Sequence, residues 1–128
     1  STMDLFATFY ALAGINLPTD RVLDSHDLTP VLKGTGGSSR ETLFYYRSYE
    51  LMAVRKGPWK MHRMTQDAYG AGSREPKQHD PPLLYNLEHD PGEKLDVASD
   101  HADVIELLRA EIELHQASLI VVDSQLER

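Results

Sequence analysis

The stretch Leu43–Met64, LFYYRSYELMAVRKGPWKMHRM, constrains the fold more than any other part of the chain. Strand side chains alternate between two faces, so Leu51, Ala53 and Arg55 are expected on one side and Met52, Val54 and Lys56 on the other. Both faces begin apolar and end charged, which predicts a strand covered on both sides near Leu51 that reaches water near Arg55. Gly57 and Pro58 break the run. A return strand then alternates Trp59, Met61 and Arg63 with Lys60, His62 and Met64. The hairpin is a hub, preceded by an approach segment and followed by a loop, another strand and a covering helix.

The opening STMDLFATFYALAG predicts a helix of about ten residues, capped by Ser1 or Thr2 and closed by Gly14, with Asp4 at its positive end. Its apolar side chains, among them Leu5, Phe6, Phe9 and Tyr10, run most of the way round the cylinder and call for burial on more than one side. The chain starts directly on this helix. The expectation is therefore a piece of a longer protein, with self-association through Leu5, Phe6 and Phe9 where the covering surface is missing. Residues 15–42 read as a connector with one short helix at Asp27–Leu32.

Beyond the hub, Thr65–Pro82 lacks periodicity and is dense in Gly, Pro and polar residues, which predicts a long loop. Leu83–Leu87 reads as a short strand and Asp90-Pro91-Gly92 as a tight turn. From Asp100 to Ala117, Ile105, Leu108 and Ile112 recur at helical spacing with Val104 and Leu107 beside them. This helix is expected to lie across the sheet, giving a two-layer α+β unit. The tail from Leu119 carries a β-branched patch at Ile120–Val122 and reads as an extended segment.

At 128 residues the chain suits one domain. No apolar run approaches the roughly 18 residues of a membrane span, and no membrane partner is expected. A net charge of −7 argues against nonspecific nucleic-acid binding. The charge is uneven. Residues 40–64 hold six basic and two acidic groups, whereas residues 65–128 hold five basic and fourteen acidic. The hub's Arg47, Arg55, Lys56, Lys60 and Arg63 either face the acidic C-terminal part or rim a site for an anionic ligand.

The absence of cysteine removes thiolate ligands and a cysteine nucleophile. GTGGSS lacks the phosphate-loop Lys, and Ser38 and Ser39 lack the nucleophile elbow. His101 and His115 would sit roughly 21 Å apart on one helix, too far to share an ion, and no metal site is expected. Glu41 and Glu50 carry no spacing that would make them an acid and base pair. His62 reads either as a hydrogen-bonded strand histidine or as a donor at a pocket edge. Tyr69, Arg74 and His79 on the loop are further candidates of the second kind.

The segments DLFATFYALAGINLP, VLDSHDLTPVLKG, ETLFYYRSYELMAVRKGPWKMH and PPLLYNLEHDPGEKLDVAS together resemble the C-terminal region of the sulfatase family, in the alkaline-phosphatase superfamily, and most nearly its arylsulfatase A-like and N-acetylgalactosamine-6-sulfatase-like branches. That resemblance implies a small antiparallel sheet of about four strands packed on the C-terminal helix, over residues 43–128. It implies that residues 1–42 are a helix and connector at the edge of a missing N-terminal catalytic domain. It further implies a sulfuric ester hydrolase using formylglycine and calcium, neither supplied by this chain, which has no Cys-x-Pro-x-Arg or Ser-x-Pro-x-Arg motif. The chain alone is expected to be inactive and to carry no catalytic residue. Its hairpin and loop, with His62 in a K-x-H pattern beside Arg63, are expected to shape the substrate rim for the sulfate ester. The alternative is a stand-alone module binding an anion, a glycan or a protein.

Overall fold

Alternation and turn chemistry together set the central sheet. In the computed structural model, which describes residues 1–68, 72 and 75–119, β1 (Thr42–Arg47), β2 (Glu50–Lys56), β3 (Trp59–Thr65) and β4 (Lys77–Asn86) form an antiparallel sheet in the order β1-β2-β3-β4. Tight turns join β1 to β2 and β2 to β3. Ser48 and Gly57 occupy the left-handed region there, at φ 54 and 56, as short hairpins demand.

Phe44, Val54, Met61 and Leu84 are register partners across the four strands. They make one apolar row, and α1 (Ala102–Ser118) lays Ile105, Leu108 and Ile112 over it. Val54, Met61, Leu84 and Leu108 are fully buried. The result is the expected α+β unit, with the amphipathic helix as its second layer. Lys56 reaches across to Glu111 of this helix, and Thr42 Oγ1 donates to the same carboxylate at 3.1 Å.

Two expectations need correction. Tyr45 pairs with Ala53 but Tyr46 pairs with Leu51, so Met52 is surplus in the ladder and forms a bulge. Leu51 therefore joins Val54 in the helix-side core instead of sharing a face with Ala53. The last strand is also longer than Leu83–Leu87, beginning at Lys77 inside the expected loop. Pro81 and Pro82 are accommodated because β4 is an edge strand and its register shifts between His62 and Met64, where no ladder N–H is required of them.

The chain after β4 is bound back onto it. Asp96 Oδ1 accepts from the backbone of Leu84 and of Ala98, each at 3.0 Å, and Val97 N donates to Leu84 O at 2.9 Å. The turn between them closes with Glu93 N donating to Asp90 O at 3.2 Å. Its left-handed residue is Glu93, at φ 53, rather than Gly92. The helix α1 begins at Ala102 behind a short 3-10 turn, Ala98–Asp100, and neither Ser99 nor Asp100 caps it.

The chain divides into two compact units, Ser1–Glu41 and Thr42–Arg128. In the first, a 3-10 turn at Thr2–Asp4, capped by Ser1, leads into a helix over Leu5–Leu12, with Gly14 at φ 67 beyond the end of that helix. Small residues make its contact face: Ala7 and Thr8 are buried, Ala7 N donates to Ser25 Oγ at 2.9 Å, and Leu28 N donates to Thr8 Oγ1 at 3.0 Å. Its large apolar side chains point outward, with Phe9 61% exposed. A second short helix, Thr29–Leu32, carries Pro30 in its first turn and is preceded by Asp27 bonded to Thr29 N.

Candidate functional site

The face of the sheet opposite α1 carries a compact polar cluster. Because Met61 faces the helix, its neighbours Lys60 and His62 on β3 must face away. Tyr45 of β1 and Tyr85 of β4, next to Phe44 and Leu84, share that side. Glu93 swings over them from its left-handed turn position. His62 Nε2 lies 2.7 Å from Glu93 Oε2, and Lys60 Nζ donates to Glu93 Oε1 at 2.5 Å. The Lys60 ammonium sits 4.8 Å from the centroid of the Tyr45 ring, and Tyr85 meets the His62 ring edge-on at 5.7 Å.

The electrostatics follow from this geometry. Burial opposes the charge on Glu93, but hydrogen bonds from Lys60 and His62 outweigh it and hold the carboxyl below its ordinary value. Burial likewise pushes His62 below its ordinary value, only partly offset by Glu93, with the positive charge of Lys60 acting in the same direction as burial. Near neutral pH the cluster is a cation, an anion and a neutral imidazole, with no net charge.

Arg63 faces the other way. With His79, Asp80, Arg109 and Glu113 it lines a cleft of about 430 Å³ between the sheet and α1. His79 Nε2 is 2.8 Å from Thr65 Oγ1. The structure thus brings Arg63 and His79 to one cleft and sets His62 on the opposite face. Tyr69 and Arg74 lie outside the described residues. Lys56 and Lys60 are matched by Glu111 and Glu93, so much of the hub's positive charge faces the acidic C-terminal part.

Among the described residues three hydroxyl–imidazole pairs occur: Thr65 with His79, Ser39 with His26 at 3.0 Å, and Tyr46 with His115 at 2.9 Å. None of the three histidines has a carboxylate on its other nitrogen among the described residues, so none of the pairs has the third group that orients a base. No three His, Asp or Glu side chains converge in a metal-binding arrangement among the described residues, and the chain has no cysteine. The described residues therefore offer no side-chain set that fits calcium, and the sequence holds no Cys-x-Pro-x-Arg or Ser-x-Pro-x-Arg motif. Glu93 is the member of the polar cluster that sequence reasoning missed. The only local signal was its place just after the Asp-Pro-Gly turn.

Residues 38–128 match a family model described as the C-terminal region of aryl-sulfatase. The chain is 39% identical to human arylsulfatase A, over 93% of this chain and 27% of that protein. It is 36% identical to an arylsulfatase of Hemicentrotus pulcherrimus, over 94% of this chain and 26% of that one. N-acetylgalactosamine-6-sulfatase of Canis lupus familiaris is 33% identical, over 98% and 28% respectively. A solved structure described under the metabolism of multiple glycosaminoglycans by Bacteroides thetaiotaomicron superposes with a TM-score of 0.66 at 32% identity, covering 89% of this chain and 24% of that one. The PsFucS1 sulfatase from Pseudoalteromonas sp., 21% identical with a TM-score of 0.72 over 89% of this chain and 25% of its own, shares the fold. The chain spans about a quarter of the length of the curated relatives it matches.

Proposed function

Because this chain belongs to the aryl-sulfatase family, as its C-terminal region, we propose that it serves a sulfuric ester hydrolase by buttressing a catalytic domain and shaping the rim of its substrate site. The observation that carries this reading is the Lys60–His62–Glu93 cluster: a half-buried imidazole fixed by a carboxylate on the sheet face that α1 leaves free. It offers recognition chemistry but no nucleophile. Formylglycine and calcium belong, in this reading, to the rest of the full-length parent. Arg63 and His79 line a separate cleft on the helix side of the sheet, with Tyr69 and Arg74 nearby in sequence, so in this reading Arg63 and His79 stand apart from the rim that His62 shapes. The exposed side chains of Leu5, Phe6 and Phe9 form the seat for the N-terminal catalytic domain, or for a second copy of the chain when that domain is absent.

A stand-alone anion-binding module is the weaker reading, since Glu93 and Glu111 already match Lys60 and Lys56. The purified chain, assayed with 4-nitrophenyl sulfate and calcium, is expected to give no turnover while the full-length parent does. Turnover by the chain alone that survives His62→Ala would overturn the reading.

A further inference from the structure

Glu93 holds an arrangement that its sequence neighbourhood does not require. A non-glycine residue at φ 53 is held against its own conformational preference, and what that backbone accomplishes is delivery of one carboxylate to two side chains of β3, more than thirty positions away. One oxygen is taken by Lys60. The other lies 2.7 Å from His62 Nε2. An ionised carboxylate accepts only, so this contact requires the ring proton on Nε2, and in the neutral ring that burial favours, Nδ1 keeps a bare lone pair.

Nδ1 has no partner among the described residues, yet it is not among the side-chain atoms sealed from solvent without one. It is an acceptor in wait. A sulfate group carries no proton to give it at neutral pH, so the sulfate of an ester is the wrong partner. The neutral charge of the cluster agrees.

Resting on the rim reading above, we infer that Glu93 is a positioning residue that locks His62 as the Nε2–H tautomer, so that Nδ1 accepts a hydrogen bond from a hydroxyl on the alcohol part of a sugar-like sulfate ester. Lys60 anchors Glu93, and Tyr45 and Tyr85 flank the site as apolar walls with polar ends.

The tautomer can be read directly from the imidazole nitrogens of the ¹⁵N-labelled chain. A protonated Nε2 and bare Nδ1 at His62 are expected. Glu93→Ala should collapse that pattern to a mixture, and Glu93→Gln, whose amide oxygen still accepts, should retain it. In the full-length parent, with whichever monosulfate of galactose it cleaves fastest, Glu93→Ala is expected to raise KM by about tenfold, the value of one hydrogen bond, with kcat moved less and Glu93→Gln restoring most of the loss. An Nδ1–H tautomer in the wild-type chain overturns the positioning role and leaves the rim reading standing. The expected tautomer with KM unmoved by both Glu93→Ala and His62→Ala overturns the rim reading and this inference with it. Cleavage of 4-nitrophenyl sulfate but of no galactose monosulfate overturns the assignment to a sugar-like alcohol.

Discussion

Asp4 is 1% exposed, and such a carboxylate persists only where partners replace its water. Arg40 supplies them, with Nη2 at 2.6 Å and Nε at 3.3 Å, while His26 N donates at 3.0 Å. The Arg40 hydrogen bonds hold the Asp4 carboxyl well below the usual range, overcoming the opposing effect of burial. The folded-state value is depressed, so the stabilisation is complete above the ordinary value of 3.8 and is lost as pH falls below it. Arg40→Ala removes the guanidinium and leaves the buried carboxylate with only the Ser1 ammonium and His26 N as partners, and a loss of about 1–3 kcal/mol is expected for the unit that contains it. Amide exchange at Ala7, His26 and Leu28, whose N–H groups enter the same network, measures it. Unchanged protection at all three amides would mean that the pair stabilises nothing.

The elements show why some of the fold could be read from residue order and some could not. Leu108 is fully buried between helix and sheet, whereas Leu107 is 51% exposed. In urea denaturation Leu108→Ala is expected to cost about 2–5 kcal/mol, and Leu107→Ala less than about 0.5 kcal/mol. That difference follows from period alone, and the same periodicity made the helix and both hub strands legible. The face of Leu51 was not legible, because the surplus Met52 shifts the count by one and no local signal marks a bulge. Lys77–Pro82 was missed because two prolines read as loop, though an edge strand tolerates them where its ladder is broken. His62 stood out from its place on the hairpin. Its partner Glu93 did not, since their meeting depends on how the chain after β4 folds back.

At the scale of the whole molecule, the two compact units bury different kinds of surface. Residues 42–119 enclose an aliphatic core, while the helix Leu5–Leu12 shows solvent Leu5, Phe6, Phe9 and Leu12, each at least 43% exposed. Covering such side chains is worth about 1.5–3 kcal/mol apiece. Sedimentation velocity of the purified chain is therefore expected to show concentration-dependent association that Phe6→Ser with Phe9→Ser abolishes, and a wild-type chain that stays monomeric throughout would overturn self-association by this face. The cancellation between Lys60 and Glu93 has a different reach. A cluster that sums to zero casts almost no potential into the surrounding water, so it cannot steer an approaching anion. Whatever it recognises is chosen only on arrival, and raising the ionic strength should leave that choice nearly untouched.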